Sequence, residues 1–191
     1  MKNKNSNKNS NKNSNKNYIK IIKEVVLPNE GVYSYDENDP GGETVYGISR
    51  KNFPKWKGWY IIDKLKKENN IKKSLKNNKN ILEYVYDFYK KEFWNKLKLD
   101  NIKNYNKQKI IMDTSINLGV RRTSKLIQKV LKVKVDGIIG SITLKHLDEI
   151  DEELFVSKLK IKRIEYYTNL VIKNKKLRKY FYGWVRRTIQ L

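Results

Sequence analysis

The sequence predicts a mainly α protein with one small extended element, and three observations carry that reading. Apolar residues recur every three to four positions through most of the chain after Tyr18. A single stretch, "ETVYGIS" (43–49), has the β-branched and aromatic content of a short strand or hairpin arm. No proline- or glycine-rich linker divides the chain, so any subdomains are expected to pack compactly.

Each element follows in order. From Asn3 to Asn17 the chain repeats "NKNS", with five lysines and no acid up to Asn17. Such a segment cannot bury apolar surface and predicts a disordered, cationic tail over 1–17. Order begins near Tyr18, where Ile19, Ile22 and Val26 share a helical face, and Pro28 is expected to halt that helix after Leu27. A polar, glycine-containing loop then leads into "ETVYGIS". Beyond it, "GWYIIDKLKKEN" reads as a helix, and "NILEYVYDFYKKEFWNKL" as a stronger one with Asn80 and Glu83 as a capping box. Leu82, Val85, Tyr86, Tyr89 and Phe93 recur there at core spacing.

The helical pattern continues to the end. "KQKIIMDTSINLG" is a largely buried helix closed by Gly119, and "RRTSKLIQKVLKV" an amphipathic one carrying Leu126, Ile127, Val130 and Leu131. A turn at Asp136-Gly137 precedes a helix that Ser141 can cap. A long helix from Asp151 keeps its acids in the first turns, as the helix dipole favours, and a basic aromatic segment, "LRKYFYGWVRRTIQL", closes the chain. These elements divide into a segment 18–105 and a segment 106–191, possible parts of one domain.

Composition limits the chemistry. In 191 residues, 43 Lys and Arg face 20 Asp and Glu, giving a formal charge of +23 that favours polyanions: nucleic acid, anionic lipid or cell-wall polymer. There is no cysteine and one histidine, His146, on an ordinary amphipathic helix. Thiolate chemistry and cysteine or multi-histidine metal sites are excluded, and a Ser-His-acid triad is disfavoured. No run reaches the length of a membrane span, and "YIKIIKEVVLP" is broken by charges as no secretory signal is. Chemistry must rest on carboxylates, hydroxyls and lysines, with no cofactor expected.

The strongest cluster is "EGVYSYDENDPGGETVYGISR" (30–50), where a basic chain gathers five acids around Gly41-Gly42. That pair allows a tight turn returning Asp39 and Thr44 toward Glu30. A carboxyl beside Tyr33 and Tyr46 can hold its proton at neutral pH, while a second carboxylate and a hydroxyl hold water. Hydrolysis of a glycosidic bond needs that division of labour. The same residues also fit a plain solvated turn, or a calcium loop, although they lack the EF-hand spacing.

The stretch resembles the opening motif of the glycoside hydrolase family 108 lysozymes, through Glu30, Gly31, Tyr33, Asp36, Asp39, Gly41, Gly42, Thr44, Tyr46, Gly47 and Ile48. It departs from the family pattern at Val32 and Tyr35. "YVYDFYKKEFWNKL" resembles the family's aromatic-Trp helix, and Asn117, Gly119, Gln128, Asp136, Gly137, Gly140 and Thr143 fall on the pattern of its predicted peptidoglycan-binding segment. "YGWVRR" is similar to a Gly-Trp-x-x-Arg close through Gly183, Trp184 and Arg187.

The resemblance implies a lysozyme-like helical fold that cleaves the β-1,4 bond between N-acetylmuramic acid and N-acetylglucosamine. Glu30 matches the proton donor, with Asp39 and Thr44 positioning the attacking water and Asp36 a rival for the second carboxylate. Candidate substrate contacts are Tyr33, Asp36, Tyr46, Trp94 and Asn117; Trp94 reads equally as core, and Asn117 is expected to point its amide into a groove. The expected partner is bacterial peptidoglycan, met by a monomer that takes no metal and no nucleic acid. Without a signal sequence, a phage or prophage endolysin is expected, made in the host cytoplasm and released to the wall through a holin. The competing classes are a wall-binding protein without activity and a basic nucleic-acid binder, for which no recognised motif appears.

Overall fold

The computed structural model describes residues 15–35, 42–67 and 70–191. The repeat tail lies outside them up to Ser14, whereas Asn15, Lys16 and Asn17 already belong to the first helix. Among the described residues are nine α-helices and one three-stranded antiparallel sheet, the mainly α, lysozyme-like architecture that the sequence predicts. Two compact units form, Lys16–Glu92 and Phe93–Leu191.

In the first unit, α1 runs over 15–30 and does not stop at Leu27. It widens into a π-helical turn, Ile22–Val26, and ends in an α-helical turn, Leu27–Glu30. The Leu27 N–H bonds to the Ile22 carbonyl, so the i→i−4 register is already broken where Pro28 enters at the start of the last turn. Glu30 is therefore the last helical residue. Ile22, Val25 and Val26 are buried, and the buried Tyr18 donates its hydroxyl to the Tyr86 carbonyl.

The sheet comprises β1 (Tyr33–Ser34), β2 (Thr44–Val45) and β3 (Ile48–Ser49), in that order. Val45 pairs with both Tyr33 and Ile48. Tyr46 and Gly47 make the β2–β3 turn with φ of 46° and 79°, the two positive values that tight I′-type hairpins require. Such a φ is uncommon for an aromatic residue.

Helices α2 (Trp59–Leu65), α3 (Ile71–Asn77) and α4 (Lys79–Tyr89) complete this unit. The α4 cap is Asn78, whose side chain accepts from the Ile81 N–H at 3.2 Å, so the helix starts before the predicted Asn80–Glu83 box. Its buried face is Ile81, Val85, Phe88 and Tyr89. A second π-helical turn, Lys90–Trp94, carries the chain into the second unit.

There, α5 (Tyr105–Leu118) meets α6 (Val120–Leu131) at Gly119, whose φ of 82° breaks the helix in one residue. α7 (Ser141–Glu149) takes Ser141 as its first helical residue rather than its cap. α8 (Glu152–Lys173) is capped by Asp151, which accepts from the Leu154 N–H at 2.9 Å, and α9 (Arg178–Gln190) ends the chain.

Two polar networks explain motif residues of this unit. Gln128 donates to Asp136 Oδ1 at 2.7 Å and accepts from the Gly137 N–H at 2.8 Å, clasping the turn after α6. The Gln128 amide and then the Ile138 N–H hold the Asp136 carboxyl below its usual range. Asp113 on α5 is wholly buried and binds Arg163 of α8 at 2.5 Å and Arg187 of α9 at 2.7 Å.

Candidate active site

Glu30 owes its position to the end of α1. The next residue, Gly31, has φ of 70°, so the chain leaves the helix abruptly and the half-buried carboxyl stays at the helix end. It lies over the β2–β3 turn: a Cβ placed on Gly47 would be 2.7 Å from Glu30 Oε2, 3.0 Å from Glu30 Cβ and 2.6 Å from the Tyr89 hydroxyl oxygen. Tyr89, buried on α4, donates that hydroxyl to the Tyr46 carbonyl at 2.7 Å. Three elements therefore converge on one hydrogen-sized gap: the end of α1, the hairpin turn and the end of α4.

A Gly47→Ala variant is expected to lose at least tenfold in wall hydrolysis while keeping its helical circular dichroism. The methyl would displace the Glu30 carboxyl or the Tyr89 hydroxyl, and the positive φ adds about 1–2 kcal/mol of backbone cost. Unchanged activity would show that the Glu30 position tolerates displacement.

The other candidates divide by place. Thr44 on β2 is half-buried, its hydroxyl 3.5 Å from the Gly42 carbonyl. Tyr33 on β1 donates to Glu43 Oε1 at 3.1 Å. Burial, and then the Glu43 carboxylate, push the Tyr33 phenol up to about 12, so it remains a donor. Tyr46 is only 5% exposed, and burial raises its phenol too; what it presents here is its backbone carbonyl rather than an open ring face. Asp36 and Asp39 lie outside the described residues. Trp94 and Asn117 belong to the second unit. Trp94 is a core residue at 0% exposure, its indole N–H donating to Asp100 at 2.8 Å. Asn117 is exposed, and its amide folds back to the Asp113 carbonyl one turn earlier, at 2.9 Å.

Sequence reasoning missed Glu43. This residue is 5% exposed, with Arg50 Nε at 2.6 Å from Oε2 and Lys66 Nζ at 2.7 Å from Oε1. Arg50 also forks onto Asp63 at 2.6 and 3.1 Å, and this bonding holds Asp63 below the usual carboxylate range. With both oxygens occupied, Glu43 braces the hairpin against α2. The available signal was its alternation with Val45, which places both side chains on one buried face. Among the described residues no group of three His, Cys, Asp or Glu could hold a metal ion, and no helix is long and apolar enough to cross a membrane.

Comparison with known proteins joins the motif around Glu30 to this geometry. The glycosyl hydrolase 108 family model matches residues 23–119, including the second half of α1, the hairpin, α4 and all of α5. The chain belongs to the glycosyl hydrolase 108 family. A predicted peptidoglycan domain matches residues 122–189 of this family 108 enzyme, spanning α7 and α8 and most of α6 and α9. The structure of Brucella abortus SagA is similar in fold, with a TM-score of 0.68 at 24% identity over 92% of this chain and 91% of that one. No curated protein matches. A glycosyl hydrolase segment joined to a peptidoglycan domain makes the chain a peptidoglycan hydrolase.

Proposed function

We propose that this enzyme is an N-acetylmuramidase, cleaving the β-1,4 bond from N-acetylmuramic acid to N-acetylglucosamine with Glu30 as general acid. The observation that carries the proposal is the seat of Glu30: a half-buried carboxyl at a helix end, fitted against Gly47 beside the Tyr89 hydroxyl. Protonated Glu30 gives its proton to the leaving glycosidic oxygen as the bond to the anomeric carbon breaks. Asp39, or Asp36 in its place, holds the attacking water with Thr44 on the opposite side of the ring. A carboxyl separation near 5–5.5 Å would make the second acid a nucleophile and retain configuration, while a wider one admits water and inverts it.

The net charge of +23 supports action on walls rich in anionic polymer. In that setting the protein works as a bacteriolytic, endolysin-type monomer, without nucleic acid as a partner. The test is the chemistry of the new chain end. Soluble fragments from purified peptidoglycan, reduced with borohydride and resolved by mass spectrometry, are expected to end in N-acetylmuramitol. N-acetylglucosaminitol ends, 1,6-anhydromuramic ends or no new ends would each overturn the assignment.

A further inference from the structure

The first unit carries a cleft of about 1100 Å³ that the chemistry above leaves unused. Its lining includes Phe53, Trp56, Tyr60, Tyr84 and Phe88, but not Glu30, Thr44 or Gly47. The two places meet at the end of α4, where the cleft's Phe88 touches the Tyr89 ring edge to face at 5.4 Å. Asn80, Tyr84 and Asp87 line the cleft on one side of the helix, and at about 100° per residue Tyr89, which reaches the Glu30 seat, is turned away from those three.

The aromatic wall is fixed in place. Phe53 meets Phe88 edge to face at 4.7 Å, Trp56 meets Trp59 likewise at 5.0 Å, and the Trp56 indole donates to the Tyr84 carbonyl at 3.3 Å. Tyr60 stands 68% exposed at the rim. Charge within the cleft balances, with Glu83, Asp87 and Glu92 against Lys55, Lys57 and Lys91, although the whole chain carries +23. A polyanion gains little from such a lining. An uncharged sugar gains from both components: the C–H faces of pyranose rings pack on aromatic side chains, and carboxylates and amides take up hydroxyl and acetamido groups.

We propose that this cleft is a second glycan-binding site, holding β-1,4-linked N-acetylglucosamine-type sugars of the wall away from the catalytic acid. The proposal rests on the enzyme acting on wall glycan. Retention of the polymer at the second site raises the local concentration of scissile bonds around Glu30, an effect that matters for insoluble wall and not for short soluble fragments.

Titration of the full-length Glu30→Gln protein with chitotetraose by calorimetry tests the site directly. Two binding events per chain are expected, and the Glu30→Gln/Tyr60→Ala protein is expected to keep one while the other weakens at least tenfold. With Glu30 intact, Tyr60→Ala is expected to slow hydrolysis of insoluble peptidoglycan about tenfold and to leave kcat/KM on soluble wall fragments unchanged. Tyr60 is exposed, so its removal does not endanger the fold. A single binding event unaffected by Tyr60→Ala, or equal losses on insoluble and soluble substrate, would overturn the second site. Retained hydrolysis by Glu30→Gln would instead overturn the catalytic assignment, which the same proteins report separately.

Discussion

Replacement of Glu30 by Gln is expected to slow the release of new reducing ends from peptidoglycan by about 10³-fold or more, with melting temperature and circular dichroism unchanged. Glutamine matches glutamate in shape, so the gap over Gly47 accommodates it as it does the native side chain. What it cannot do is deliver a proton to the departing glycosidic oxygen, and positioned proton transfer contributes on the order of 10²–10⁴-fold in rate. Glu30→Asp separates proton from position. It retains an acid but withdraws the carboxyl by one methylene from a seat defined within 3 Å of the Gly47 Cβ direction, and misplacement of about 1 Å can cost about 10²-fold. The expected order of activity is therefore wild type, then Asp, then Gln. A Gln variant as active as the wild type would place the proton donor elsewhere in the molecule.

Glu30 stood out as a candidate because its surroundings are local in sequence: an acid, glycines and a Thr-x-Tyr-Gly-Ile arm within about twenty residues. The partners that fix it were harder to read. Tyr89 lies 43 residues from Tyr46, and its helical spacing announces a core ring without announcing where its hydroxyl lands. Pro28 misled for a physical reason, since a proline normally ends the preceding helix. Here the π turn from Ile22 changes the hydrogen-bond register before proline arrives, and the helix survives to Glu30. Asn78 and Asn80 offer the same capping chemistry two residues apart, and only backbone geometry selects Asn78. Glu43 escaped notice because acids near a glycine loop read as solvated; its burial depends on cations from Arg50 and Lys66, one of them on the far side of α2 in sequence. The helical periods, by contrast, carried the mainly α architecture and the helix end at Gly119 directly.

Asp113→Ala is expected to be the most destabilising single change in the second unit. Asp113 and Arg163 are both fully buried, 50 residues apart, and Arg187 adds bonds of 2.7 and 2.9 Å to the other carboxylate oxygen. Removal of the carboxylate strands the Arg163 guanidinium without exposure to water, which costs about 3–5 kcal/mol for a buried pair. Arg187, 20% exposed, can turn partly to solvent and adds less. For a chain of this size, that loss corresponds to a fall in melting temperature on the order of 10 °C. The pair's own worth is a different quantity, because two buried charges also lose their hydration. An Asp113→Leu/Arg163→Met protein, which removes both charges and restores apolar volume, is therefore expected to recover more than half of the deficit. Thermal unfolding of the three proteins at one pH decides the matter. If Asp113→Ala costs less than about 1 kcal/mol, or the double variant is worse than the single one, stranded charge is not what holds α5, α8 and α9 together. The expected result instead gives the Gly-Trp-x-x-Arg close a physical role: it brings Arg187 to a carboxylate that two helices already share, one turn before the exposed Asn117.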